Sequence, residues 1–171
     1  MLAEKRYIFG QGLPDVADIR YGKYPVSYNG CELVAVYNAL VNLDAQKDFR
    51  EIIKDAERIK GVCWSFFGMK AIFGTKPKGI GKLLKHYGRK IASARRRSRF
   101  NGMLAPDGTY IVTFFNRHIW EGIHTVMFVC DRDRSISVFN YCNNAVKAGL
   151  YESLDSYLSL QGKPIVLYKV E

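Results

Sequence analysis

The sequence predicts an α+β domain, with helices in the first half and an antiparallel sheet in the second. Two observations carry this. Apolar residues recur at three- and four-residue steps as far as Tyr87, which is the period of a helix with one buried face. From Thr109 the pattern changes to β-branched and aromatic runs, the signature of strands. Length and composition agree with a single unit over residues 1–171: the chain is 48% apolar and 25% charged, an ordinary globular mixture. Disorder, collagen and coiled coil are excluded.

Residues 1–30 read as irregular, because Gly10, Gly12, Pro14, Gly22, Pro25 and Gly30 punctuate them; 1–24 form an N-terminal segment outside the regular elements. A helix is predicted to begin at Cys31, with Leu33, Val34, Tyr37, Leu40 and Val41 on its apolar side. Asn29 and Gly30 mark its start, and Glu32 suits its first turn. A second helix fits 48–59, through Phe49, Ile52, Ile53, Ala56 and Ile59. The stretch 64–73 is apolar on several faces and is predicted to lie in or against the core. A third helix fits 77–87, with Pro77 in its first turn and Gly88 past its end. Strands follow at 109–115 and 124–130. A turn at Asp131–Arg134 leads to a return strand at 135–139, making a hairpin. A short helix at 154–160 and a last strand at 165–170 complete the chain.

Lys and Arg number 26 against 16 Asp and Glu, a net charge of +10. The charge is unevenly placed. Between Arg58 and Pro106 there is no acidic residue and there are 13 basic ones, so the rest of the chain carries 13 − 16 = −3. One cationic region on a nearly neutral body recruits anions, acidic peptides or nucleic acid, or simply forms a solvated face. The partner expected is a peptide or protein substrate, for which an acidic segment is one option; nucleic acid is possible but not favoured. No run approaches the ~18 apolar residues of a membrane span, so no membrane insertion is expected. The opening residues lack an apolar stretch after their charges, so no secretory leader is expected. The four cysteines, Cys31, Cys63, Cys130 and Cys142, are too few for a disulfide scaffold. The expected setting is the reducing cytoplasm, with free thiols.

Several motifs fail on inspection. The run 76–82 (KPKGIGK) resembles a phosphate loop, but no glycine stands five before Gly81 and Leu83 occupies the Ser/Thr position. Zinc spacing, the metalloprotease helix motif and the serine elbow are missing, so neither metal nor cofactor is expected. Arg95–Arg99 is a cationic cluster without a recognised nucleic-acid motif around it.

What remains is a thiol and an imidazole. Cys31 stands at a helix start, where the helix dipole favours thiolate over thiol. A nucleophilic thiol needs a histidine to hold or pass its proton. His86 lies on the basic third helix, and His118 lies in the polar bend after Asn116. His124 opens an apolar strand, a rigid mount beside a cleft. The hairpin returns Asn140 alongside His124, where its side-chain carbonyl can accept the ring N–H and fix the tautomer. Asn143 is a second candidate for that role. Cys63, Cys130 and Cys142 read as small core residues.

Three segments carry a family resemblance: 28–40 (YNGCELVAVYNAL), 74–88 (GTKPKGIGKLLKHYG), and 122–129 (GIHTVMFV) through 138–140 (VFN). Their order, Cys on a helix, His on a strand, Asn after the paired strand, resembles papain-like cysteine peptidases. It is most similar to the compact bacterial branch that includes the bacteriocin-processing, double-glycine leader peptidases. The resemblance implies a papain-like fold, with Cys31 as nucleophile, His124 as general base and acid, and Asn140 as orienting residue. The family usually places a Gln a few residues before the cysteine to stabilise the oxyanion, yet Pro25, Val26, Ser27 and Tyr28 occupy that stretch. The Cys31 backbone N–H and the Asn29 side-chain amide are the candidate replacements; one lost donor typically costs ~10²–10³ in rate.

The implied activity is hydrolysis of a peptide or amide bond by a Cys–His–Asn triad, or acyl transfer with the same groups. The alternative is a papain-like binding module that uses its cationic surface to hold an anionic partner.

Overall fold

The computed structural model describes residues 6–66, 69–117 and 122–171, with the backbone alone for Phe66, Lys70, Ile72 and Phe73. Its centre is a six-stranded antiparallel sheet in the order β5-β10-β6-β7-β8-β9, comprising β5 (Ile91–Ala94), β6 (Gly108–Asn116), β7 (Ile123–Cys130), β8 (Ile136–Phe139), β9 (Gly149–Tyr151) and β10 (Gly162–Val170). Sheet residues alternate between two cores. Ile111, Met127 and Val166 face the helical half, together with Leu33, Val36 and Leu40. Val112, Phe114, Val126 and Phe128 face the other side, against Leu154, Tyr157 and Leu158. Strands buried on both faces explain why 109–115 reads as continuously apolar.

The helical half follows the predicted periodicity. α1 (Pro14–Ala17) and α2 (Val26–Asn29) are single turns, and α2 runs into α3 (Cys31–Asn42) through Gly30. A Cβ at Gly30 would stand 2.6 Å from Val26 Cγ1, so the close approach of these two turns needs glycine. Every residue of α3 from Cys31 to Val41 is buried, which places it in the core rather than on the surface. α4 (Phe49–Arg58) is capped by Asp48, whose carboxylate accepts from the N–H groups of Arg50 and Glu51. α5 (Pro77–His86) starts on Pro77, and α6 (Leu154–Gln161) starts on a Ser153–Ser156 capping box.

Several expectations change. Segment 64–73 is not simply core: it forms a hairpin of β3 (Cys63–Phe66) and β4 (Met69–Thr75), from which Trp64 projects 45% exposed while Ala71 is buried. The N-terminal segment is less irregular than expected, with β1 (Arg20–Tyr21) paired to β2 (Tyr24–Pro25). Before that, residues 7–12 are tied down at both sides. Ile8 exchanges two hydrogen bonds with the Asn38 side chain, and Phe9 stacks on Phe139. Cys142 is exposed rather than core, whereas Cys63 and Cys130 are buried; all four thiols are free. Edge strands β5 and β9 escape the sequence reading because each is only three or four residues long. Among the described residues, no helix is long and apolar enough to cross a membrane.

Candidate active site

Cys31 is the first residue of α3 and is 6% exposed. Helix α3 lies against β7, and the main-chain N–H groups of Thr125 in β7 and of Glu32 pull the Cys31 thiol down in pKa. Thr125 directly follows His124, so the strand packed on α3 also carries the imidazole.

His124 is half-buried, with its ring edge-on to Phe114 at 5.8 Å. Its Nε2 lies 2.7 Å from the main-chain oxygen of Asn140. A carbonyl can only accept, so Nε2 carries the proton and Nδ1 keeps its lone pair. Burial holds His124 below its ordinary pKa, against the opposing pull of that hydrogen bond.

Asn140 therefore orients His124 by a different atom from the one expected. Its side chain is turned away and clamped to Gln11: the Gln11 backbone N–H donates to Asn140 Oδ1 (2.8 Å), and Asn140 Nδ2 donates to Gln11 Oε1 (3.1 Å). The Asn140 N–H donates to Phe9 O at 2.8 Å. This clamp holds Asn140 at φ 60°, a left-handed conformation that asparagine tolerates better than most residues. Gln11 Nε2 in turn donates to Ser27 O (3.1 Å), tying the clamp to the turn before Cys31. The N-terminal segment thus supports the histidine through Asn140, which lies 129 residues from Gln11 in sequence. A search for glutamine just before the cysteine could not have found it.

Asn29 does not serve as expected. Its amide donates to Tyr21 O (3.2 Å) and Ala71 O (2.8 Å), so both N–H bonds hold main-chain carbonyls rather than a substrate oxyanion. Asn143 is exposed and donates to Ser27 O (3.4 Å), not to His124. His86 lies 3.4 Å from Asp55 on the basic helix, and His118 lies outside the described residues.

The electrostatics also depart from expectation. Burial is the main force pushing the Cys31 thiol well above its ordinary pKa, and the adjacent Glu32 carboxylate adds to it. Its side-chain interaction with that carboxylate further favours the protonated sulfur. Glu32 is itself 2% exposed, and burial pushes it up to about 7 against the N–H of Thr75, which donates to it. The thiolate expected from the helix dipole is overturned here, because desolvation and a neighbouring anion outweigh half a charge at the helix start. At rest the Cys31 thiol and the His124 imidazole are each held neutral. Among the described residues, no group of three or more His, Cys, Asp or Glu side chains could hold a metal.

This arrangement can be compared with known structures. The peptidase domain of Streptococcus ComA, a bi-functional ABC transporter involved in quorum sensing, superposes with a TM-score of 0.56. The match covers 88% of this chain and 98% of that one, at 12% identity. The fold is papain-like. In the papain-like frame, helix α3 and strand β7 are the elements on which sequence reasoning placed the nucleophile and the base. No family model and no curated protein sequence matches the chain.

Proposed function

We propose that the chain is a thiol hydrolase acting on a peptide or amide bond, with Cys31 as nucleophile and His124 as base and acid. The observation that carries this reading is the tautomer of His124: Asn140 O accepts from Nε2–H, leaving Nδ1 as a base on the strand packed against the helix that begins at Cys31. Because the resting pair is neutral, the Cys31 proton passes to Nδ1 as sulfur attacks the carbonyl carbon. Main-chain N–H groups at the start of α3 hold the oxyanion in place of the Asn29 amide. As the tetrahedral adduct collapses, the C–N bond breaks and His124 returns the proton to the leaving amine. Water then attacks the thioester while His124 takes its proton; the acid leaves and the thiol is restored. An amine in place of water makes the same chemistry an acyl transfer.

The buried, protonated sulfur favours one other reading, a binding module of the same fold without turnover. Labelling by an electrophilic peptide-like ketone separates the two. Catalysis predicts modification of Cys31 faster than of an unstructured thiol, lost in His124→Ala. Equal rates in the two proteins, no faster than a free thiol, overturn the hydrolase reading.

A further inference from the structure

Two concavities meet along β10. The first, about 340 Å³, has an apolar floor of Trp64, Pro77, Ile165 and Tyr168 and a rim of Lys76, Lys78 and Arg95. The second, about 550 Å³, is lined by Arg95, Arg97, Arg117 and Lys163, with Leu158 and Pro164 at its base. Arg95 lines both, so the two adjoin at the sheet edge, the first on the face that carries α5 and the second on the face that carries α6; together they make a cationic groove around the edge of β10 that β5 leaves uncovered. Among the described residues six cations line it and no carboxylate does. Arg97 is drawn aside by Asp155, at 2.9 Å on the exposed surface.

The groove has a length and a position. From Gly162 to Tyr168, β10 spans about 20 Å, which accommodates roughly six residues of extended chain. Pro164 pairs with Phe114, and Phe114 pairs with His124. The groove therefore runs about 10 Å, two strand spacings, from the histidine.

We propose that this groove docks an acidic polypeptide segment carrying a large apolar side chain, which enters the slot over Ile165 and Tyr168 while its carboxylates meet Arg95, Arg117 and Lys163. That the segment belongs to the substrate of the thiol site rests on the function proposed above; the docking itself does not. Charge complementarity selects an anion, and the apolar floor selects one with an apolar side chain. Nucleic acid fits less well. Single-strand platforms stack bases on successive open aromatic faces. Here the exposed Trp64 ring already carries the Lys76 ammonium 4.9 Å above its centre, and Tyr168 is buried with its hydroxyl bonded to Pro77 O.

The test is fluorescence anisotropy with the full chain and a labelled twelve-residue peptide of alternating Glu and Leu. Comparison ligands are an all-Glu peptide and an oligothymidine of equal charge. The expected result is salt-sensitive binding of the Glu/Leu peptide, at least about tenfold tighter than either comparison ligand. Arg95→Ala with Lys163→Ala, both exposed positions, should weaken it at least about tenfold. Trp64→Ala should remove the preference for Leu. Cys31→Ala should leave binding unchanged, and the groove variants should leave iodoacetamide labelling of Cys31 unchanged, which separates this proposal from the hydrolase reading. No binding, tighter binding of oligothymidine, or binding insensitive to both groove variants overturns it.

Discussion

The thiol site and the β10 groove are opposite electrostatic environments within one small chain. At the thiol site desolvation sets the charge states: the Cys31 thiol is pushed up, the Glu32 carboxyl is pushed up to about 7, and the half-buried His124 is held down. In the groove, cations such as Lys78, Arg95 and Lys163 stay in solvent beside an apolar slot. Burial makes each proton at the first site costly to move, so geometry decides its chemistry. Solvent screens each charge at the second, so number and sign decide its binding. Under the two proposals a dry reacting centre lies beside a wet recruiting surface, and the regions divide the labour.

The sharpest way to break this contrast is to disable the dry site. His124→Ala should reduce peptide-ketone labelling of Cys31 by about 10²–10⁴-fold, the usual worth of a positioned base. It should leave Glu/Leu peptide anisotropy unchanged. A parallel fall in both would show that the regions are not independent.

The Gln11 clamp is the next largest effect. Gln11→Ala leaves the buried Asn140 amide without its Oε1 partner, which should cost about 1–3 kcal/mol in urea unfolding. It should also loosen His124, lowering the labelling rate and moving its pH midpoint towards that of an ordinary histidine. A stability loss with an unchanged pH profile would limit Gln11 to a structural role.

Glu32 sharpens the contrast through pH. Its folded-state pKa is raised above the ordinary value of 4.5, so its contribution is full at low pH and is lost as pH rises through about 7. The loss is on the order of 3 kcal/mol. His124 works the other way: its depressed pKa favours the folded state as pH rises through the ordinary histidine range. Glu32→Gln should remove the first trend and expose the second, seen as a melting temperature that climbs with pH. It should also lower the Cys31 thiol pKa and speed iodoacetamide labelling at neutral pH. Unchanged melting and labelling profiles would contradict the assigned environment.

The smallest effect on chemistry is expected at Asn29. Asn29→Ala frees the carbonyls of Tyr21 and Ala71, so unfolding should become easier by about 1–3 kcal/mol. The labelling rate of the protein that remains folded should change little. A rate loss of about 10²-fold with intact stability would restore Asn29 to the oxyanion site.

Local signals marked most of the scaffold. The apolar steps from Leu33 to Val41 and from Phe49 to Ala56, the Pro77 start and the change of period near Thr109 each report a pattern within a dozen residues, and each corresponds to an observed element. They placed Cys31 at a helix start and His124 on a strand. They did not show Trp64 facing solvent, since an apolar run does not say which of its members packs. Nor did they locate the groups that matter at the site: the Asn140 main-chain oxygen, the Gln11 clamp and the Glu32 carboxyl that raises the Cys31 thiol.

The order of elements, the candidate thiol and imidazole and the uneven charge were determined by the chain alone, because periodicity and residue type are local properties. The protonation of the sulfur, the tautomer of His124 and the gathering of six cations along β10 were decided only by tertiary structure. Desolvation and hydrogen-bond partnership depend on groups as far apart as Gln11 and Asn140, and folding alone brings those together.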